Sequence, residues 1–249
     1  MSAEANLNLY ITAVHPCPYL PDRQAVNLLV DPCFSMTTKL YARLLDSGFR
    51  RSGTDVYRPH CKTCTSCVST RIPVEHFKPN RSQQRTKQRN RDLQVHVNRG
   101  EGFKPEYGEL YRQYINQRHK GGGMETDSME TFAGFLLSRW SETLLVEFRD
   151  GDDLLAVATV DETPNGLSSV YTFFAPDIGE KRGLGTYAVL WQIDYARERG
   201  LPYVYPGYWI AESPKMNYKT RFQPIEGLRN GVWETLEPAD KRSCRSSES

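Results

Sequence analysis

Three cysteines at two-residue intervals, Cys61, Cys64 and Cys67, form the sharpest chemical spacing in the chain. Thiolates so spaced can converge on one soft metal, with Cys17 as a candidate fourth ligand and Cys33 next in line. A closed set of four sulfurs would suit zinc or an iron–sulfur cluster in a structural or redox role, because it leaves no position open for substrate. The competing reading is a knuckle of small reduced thiols. A second run, Ser213-Pro-Lys-Met-Asn-Tyr-Lys219, offers Lys215, Tyr218 and Lys219 as cations and a hydroxyl for a phosphate or a developing oxyanion. In a third, Glu180-Lys-Arg-Gly-Leu-Gly-Thr186, Arg182, Gly183 and Gly185 stand where a helix begins. Glycines there would let a phosphate approach the free amides of the first turn. Arg50, Arg51, Arg58 and Arg71 could grip a carboxylate through their planar forks. His60, His76, His96 and His119 have no triad-like companions, and there is neither a Gly-x-Ser-x-Gly nor a P-loop.

These groups need elements to hold them. The first half reads as a strand over Ala25–Val30 and a helix over Ser35–Ser47, capped by Ser35 and stopped by Gly48. Strands follow at Val56–Arg58 and Val68–Val74, on either side of the cysteines, and then a polar helix over Ser82–Leu93. The second half predicts helices at Glu106–Arg118 and Ser128–Trp140, separated by a break at Gly121–Gly123. Three runs with turn residues between them, Thr143–Arg149, Leu154–Glu162 and Leu167–Ala175, predict an antiparallel meander. A loop over Pro176–Gly183, an amphipathic helix over Leu184–Arg199 and a strand over Tyr203–Ile210 complete it. This order is that of an N-acetyltransferase-type (GNAT-type) core. The expectation is an α+β protein: a mixed lobe over residues 1–98, a GNAT-like acyltransferase domain over 99–237 and a disordered Ser/Arg-rich tail over 238–249.

The chain has 249 residues, 25% of them charged, and a net charge of +2. Charge is uneven: the window Arg71–Arg99 carries about +6 and the remainder about −4, a partition that suits a local polyanion site. Lys78–Arg91 interleaves its cations with Asn, Gln and Ser, as contacts to a nucleic-acid backbone require, although such a run is often a solvated helix face. The aromatic runs Tyr171–Phe174 and Tyr203–Trp209 are chiefly core, and one face could stack a terminal adenine. No signal peptide and no membrane-spanning run is read, so a soluble intracellular protein with reduced cysteines is expected.

Cys17-Pro-Tyr-Leu, Met36–Tyr41, Gly48-Phe-Arg-Arg-Ser-Gly-Thr-Asp-Val-Tyr-Arg-Pro59, the Cys61–Cys67 knuckle and Ser213–Lys219 together resemble the arginyl-tRNA–protein transferases. The bacterial branch of aspartate/glutamate leucyltransferases is the nearest in pattern, and the resemblance runs from about Tyr10 to Trp233. It implies a two-lobed GNAT-like fold, a Leu-tRNA donor, and acceptor proteins that begin with Asp or Glu and are marked for degradation by the N-end rule in the cytoplasm. Neither a membrane nor DNA is an expected partner. On this reading Arg50, Arg51, Arg58 and Arg71 surround the acceptor carboxylate, and Lys215, Tyr218 and Lys219 stand beside the donor. Eukaryotic relatives use cysteines near their N-terminus for a metal or iron–sulfur cluster; here Cys17 alone matches the first pair of that pattern. Glu180 stands where acyl-CoA enzymes usually carry Gln or Arg, which disfavours an acetyl-CoA donor. That rival, and an RNA-binding zinc module, remain the alternatives at the level of sequence.

Overall fold

The computed structural model describes residues 7–99, 102–118 and 128–237. The expected glycine break at 121–123 and the expected tail from 238 lie outside these residues. The first part of the chain forms β1 (Leu9–Ile11), β2 (His15–Pro16), β3 (Gln24–Ala25), β4 (Asn27–Val30), α1 (Thr38–Asp46), β5 (Arg50–Ser52) and β6 (Asp55–Pro59). Then come β7 (Val68–Pro73), α2 (Arg81–Arg89), β8 (Gln94–Arg99), α3 (Pro105–Arg118) and α4 (Met129–Leu136). The last part holds β9 (Glu142–Asp150), β10 (Asp153–Thr163), β11 (Gly166–Phe174), α5 (Pro176–Arg182), α6 (Leu184–Glu198), β12 (Tyr203–Trp209), β13 (Glu226–Arg229) and β14 (Val232–Thr235). A 3-10 turn over Asn217–Arg221 lies between β12 and β13.

The fold is mixed α+β. Eight strands make one sheet in the order β14-β13-β7-β12-β11-β10-β9-β8, and β1-β4-β6-β5 make a second. Strands β7 and β8 therefore belong to the large sheet, and the expected boundary at residue 98 falls inside that sheet. The pair β11–β12 is parallel, whereas the other pairs among the described residues are antiparallel. Strand β10 is buried from Leu155 to Asp161 without alternation, because helices or loops cover both of its faces. Its apolar residues join the main core with Phe132 of α4, Tyr107 and Tyr111 of α3, and Leu184, Leu190 and Ile193 of α6. A smaller core of Tyr41, Leu44, Leu45, Phe49, Val56 and Tyr205 joins α1 to both sheets.

Local chemistry explains where the helices differ from expectation. Helix α1 starts two residues later, because the Thr37 side chain accepts the Leu40 N–H and so caps it in place of Ser35. Helix α2 has no apolar stripe and is held by a reciprocal cap. Asn80 accepts from Gln83 N at 3.0 Å, and Gln83 accepts from Asn80 N at 2.8 Å. The predicted loop over 176–183 is mostly the helix α5, with Pro176 at its first position and Gly183 (φ +70°) turning the chain into α6. No helix among the described residues is long and apolar enough to cross a membrane.

Candidate functional site

Strands β11 and β12 stay paired for three residues, Gly166–Ser168 against Tyr203–Tyr205, and then part. Two irregularities cause the opening. The β10–β11 register slips at Val170, and the β12–β7 register slips between Val204 and Gly207, around Pro206, which has no N–H to give. Arg50 of β5 spans the fork: its Nη2 donates to Tyr205 O at 2.5 Å and reaches Ser169 O at 3.4 Å. Its Nη1 is buried without a hydrogen-bond partner. Lys219, in the turn that follows β12, is 3% exposed and has the Met216 sulfur at 3.4 Å. Both cations flank Gly207, where an added Cβ would lie 3.7 Å from Arg50 Nη2 and 3.9 Å from Lys219 Cε. Burial first, and the charge of Arg50 second, lower the Lys219 pKa to about 7. Thr159 Oγ1, Gln192 Nε2 and Trp209 Nε1, on the elements around the opening, are also buried and unpartnered. Polar groups left unmatched inside a fold are a mark of a ligand site.

The other expected arginines have different fates. The Arg51 side chain is fully buried and holds Asp161 through both carboxylate oxygens, at 2.5 and 2.7 Å, with further donation to Gly53 O and Leu136 O. A saturated fork cannot also grip a substrate, so Arg51 is corrected to a structural residue that ties β5 to β10 and to the end of α4. Arg71 lies between the rings of Tyr203 and Trp233, 3.9 and 4.3 Å away, and pairs with Glu226 at 2.6 Å and Asp46 at 3.5 Å. It too is engaged by the fold. Arg58 packs over Phe49 and donates to Ser47 O. The expected phosphate entry is likewise altered. Arg182 pairs with Asp92 and Asp150 and donates to Asn90 Oδ1 at 3.0 Å, and α5 occupies the approach to α6. Gly183 serves the corner between the helices, and Gly185 gives room to the Phe174 ring, which a Cβ would approach to 3.3 Å. Lys215 is exposed, and Tyr218 is at the surface with its ring 4.9 Å from Lys219 Nζ.

Two concavities lie elsewhere on the fold, the first sharing Trp209 with this arrangement. Cys17, Cys61, Cys64 and Cys67 line one cavity of about 1000 Å³ together with His15, Arg23, Tyr57, Trp209 and Glu212. Backbone and side-chain hydrogen bonds from Ser66, and then Arg23, lower the Cys64 pKa. Burial, followed by the neighbouring cysteines, pushes the Cys67 thiol up to about 12. The described cysteines are free thiols, and Cys33 is exposed and apart from the cavity wall. The sequence brings the four expected thiols to one wall, yet among the described residues no group of three or more His, Cys, Asp or Glu is placed to hold a metal ion. The second concavity, about 480 Å³, lies between α2 and α6 and is lined by Gln84, Lys87, Arg91, Tyr187 and Trp191. Lys87 pairs with Asp194, while Arg81, Arg85 and Arg91 point to solvent.

Comparison with known proteins decides the family. Residues 15–85 match the family described as arginine-tRNA-protein transferase, N terminus, and residues 106–229 match its C terminus. An aspartate/glutamate leucyltransferase of Pseudomonas aeruginosa is 50% identical over 236 residues, covering 95% of this chain and all of its own length. Those of Hahella chejuensis and Nitrosococcus oceani are each 47% identical over 95% of this chain, covering 100% and 99% of their own lengths. The chain belongs to the arginine-tRNA-protein transferase family. It is an aminoacyltransferase of the kind that takes aminoacyl-tRNA as donor and a protein as acceptor. Two solved structures, one described as the C-terminal domain of a lysylphosphatidylglycerol synthetase and the other as L-PGS, are distantly similar. The C-terminal domain from Agrobacterium fabrum has a TM-score of 0.44 at 13% identity, covering 74% of this chain and 55% of that one. The Bacillus licheniformis protein has a TM-score of 0.42 at 10% identity, covering 63% and 52%. The two transferase-family segments share one sheet, since β7 of the first lies between β12 and β13 of the second.

Sequence reasoning picked Arg50 and Lys219 but put them on opposite sides of the reaction; the fold brings them to one glycine. Gly207 and Trp209 were read as part of an aromatic core strand. A Pro-Gly pair inside such a strand is the signal that could have marked a bulge and a close approach.

Proposed function

We propose that this transferase moves leucine from Leu-tRNA to the N-terminal Asp or Glu of acceptor proteins in the cytoplasm, marking them for degradation by the N-end rule. The observation that carries the reading is the parting of the parallel strands β11 and β12 beside α6, the opening that a GNAT-type core would use. A fork between two parallel strands, beyond the Arg50 bridge, frees backbone groups from the ladder that could meet both substrates. The reaction is aminolysis of an ester. The neutral α-amine of the acceptor attacks the leucyl carbonyl carbon, the C–N bond forms, and the C–O bond to the ribose breaks. The proton lost by the amine ends on the departing ribose oxygen. The ester is already activated and a free α-amine has a pKa of roughly 7.7–8.0. Positioning and oxyanion stabilisation can therefore carry the catalysis without a cofactor. Buried donors such as Trp209 Nε1 and Gln192 Nε2 suit a developing oxyanion. Lys215 and Tyr218, on the exposed side of the same turn, suit the 3′ end of the donor, and the cations of α2 suit the tRNA body.

The test is transfer of radiolabelled leucine or arginine from tRNA to peptides that differ in their first residue. Leucine should pass to Asp- and Glu-starting peptides, and ribonuclease should abolish transfer. Arginine as the preferred donor would overturn the donor assignment. Acyl transfer from acetyl-CoA that survives ribonuclease would overturn the reaction class.

A further inference from the structure

Helix α6 has two working sides. Gln192, fully buried, faces the fork: its Oε1 accepts from Ser169 Oγ at 2.5 Å, and Ser169 is the first β11 residue past the stretch paired with β12. On the flank toward α2, Tyr187, Trp191 and Asp194 follow one another at helical spacing and line the groove of about 480 Å³. Gln84, Lys87, Gln88 and Arg91, at three- and four-residue spacings on α2 and the turn after it, form the facing wall. The rings are held in place. Trp191 stacks on Tyr195 with centroids 4.9 Å apart, and Trp191 and Tyr187 meet the Phe148 ring edge-on at 6.1 and 5.6 Å. Lys87 pairs with Asp194 and so ties the two walls together. Half-buried rings on one wall, with amides and cations on the other, suit a planar ring carried on a phosphate chain. The rings stack on its face, the amides meet its edge and the arginines meet the phosphates.

We propose that this groove holds one unpaired base from the 3′ end of the donor tRNA, stacked against Trp191 and Tyr187. This rests on the reading above for the place of the ester in the fork, and it needs tRNA as the donor without needing leucine. Three observations choose the occupant. The first is distance: fork and groove flank the same helix and lie about 10–12 Å apart, one helix diameter. A strand whose terminal ester sits in the fork therefore passes the groove within its first few nucleotides. The second is width, because a duplex does not enter a groove of this size between two packed helices, whereas a single splayed base does. The third is charge. Arg81, Arg85, Arg89 and Arg91 are exposed beside the groove, and the one acid that lines it, Asp194, is already paired with Lys87. Stacking is indifferent to base identity and the unpaired 3′ end is common to all tRNAs. The groove thus contributes affinity and register for the donor, and not the choice of amino acid.

The experiment is a double-mutant cycle between protein and RNA, read as equilibrium binding of full-length deacylated tRNA to the full chain at one fixed salt concentration. Trp191→Leu removes the larger ring and Trp191→Phe keeps a smaller one; the RNA variants carry one abasic nucleotide at each unpaired 3′ position in turn. On the wild-type chain one of these positions should cost about tenfold in affinity when made abasic, the scale of one stacked base. Trp191→Leu should weaken unmodified tRNA by about the same factor and Trp191→Phe by about threefold. At that one position the protein and RNA losses should not multiply, because both remove the same contact. Losses that multiply at every position overturn the proposal. So does tRNA affinity unchanged in the Leu variant, which would leave the groove to a protein partner. Should the Leu variant fail to fold, the abasic series on the wild-type chain decides: no position costing more than about threefold overturns the proposal. Binding of a Glu-starting peptide should be the same for every variant, and a parallel loss there would make the ring structural and overturn it too. Leucine transfer on the same preparations separates the two ideas. No transfer with the cycle still coupled at one position removes the reaction and leaves the groove, whereas normal transfer with losses that multiply throughout removes the groove alone.

Discussion

Single side chains in this transferase divide by whether the fold has given them a partner. Arg51 has one, so Arg51→Ala should lower unfolding free energy by about 3–5 kcal/mol, the penalty for stranding Asp161 inside the protein. Denaturant melts would check it, and an Arg51→Met, Asp161→Leu double variant should recover much of the loss. Lys219 predicts a pH effect of definite sign. Its pKa is lowered to about 7 from 10.5, so between those values the unfolded chain binds the proton that the folded chain has lost, and wild-type stability rises with pH in that window. The stability advantage of Lys219→Met should therefore be greatest at pH 7 or below and fade as pH rises toward 10; an advantage that grows with pH would contradict the burial. Lys219 was legible in the sequence as a motif residue and not as a buried one. A lysine is ordinarily a surface residue, and its burial follows from the slip of β12 around Pro206 and Gly207. Arg51 was misplaced for a similar reason, because no local signal separates an arginine that meets a substrate from one that meets Asp161 across the fold.

Elements that alternate or cap cleanly were readable: α1, α6 and the meander β9–β11 fall close to where periodicity puts them. Strand β8 was missed although Val95 and Val97 alternate in it, because it directly follows a polar helix and carries only those two apolar residues. Helix α5 was read as a loop because Gly179 breaks its helical signal. Gly179 is there for packing: a Cβ would come within 2.2 Å of the Phe174 ring. The short paired stretch of β11 and β12 begins at Gly166, with φ +145° and a hypothetical Cβ 2.1 Å from Tyr203 O. Gly166→Ala should separate β11 from β12 at the point where they pair and lower stability by at least about 2 kcal/mol, with transfer falling further than the melting shift alone explains. Circular dichroism melts and leucine transfer on one preparation test both parts.

At the scale of the molecule, the basic face of α2 and the buried cation pair lie on different elements and should report separately. Replacing Arg81 or Arg85 with Gln should weaken Leu-tRNA and reduce the salt dependence of its binding by about 0.7–0.9 in log–log slope for each contact removed, with peptide affinity unchanged. Equal losses for tRNA and peptide would show that the two faces are not independent. How the two expected lobes join was the whole-molecule feature least legible in the sequence. Strand pairing between distant segments leaves no local trace, and β7 gives no sign that its neighbours are β12 and β13.

That interleaving bears on how the chain is made. During synthesis Val68–Pro73 emerges 130 residues before Tyr203, its partner at Pro73. At ribosomal speed the strand then waits on the order of ten seconds with both edges bare. The first hundred residues can pair β1, β4, β6 and β5 but leave β7 without β12 and β13, so in a nascent chain stalled there Val68–Pro73 should be digested readily by protease and should need shielding from its neighbours. Protection should appear late and all at once, when β12 and β13 close around β7.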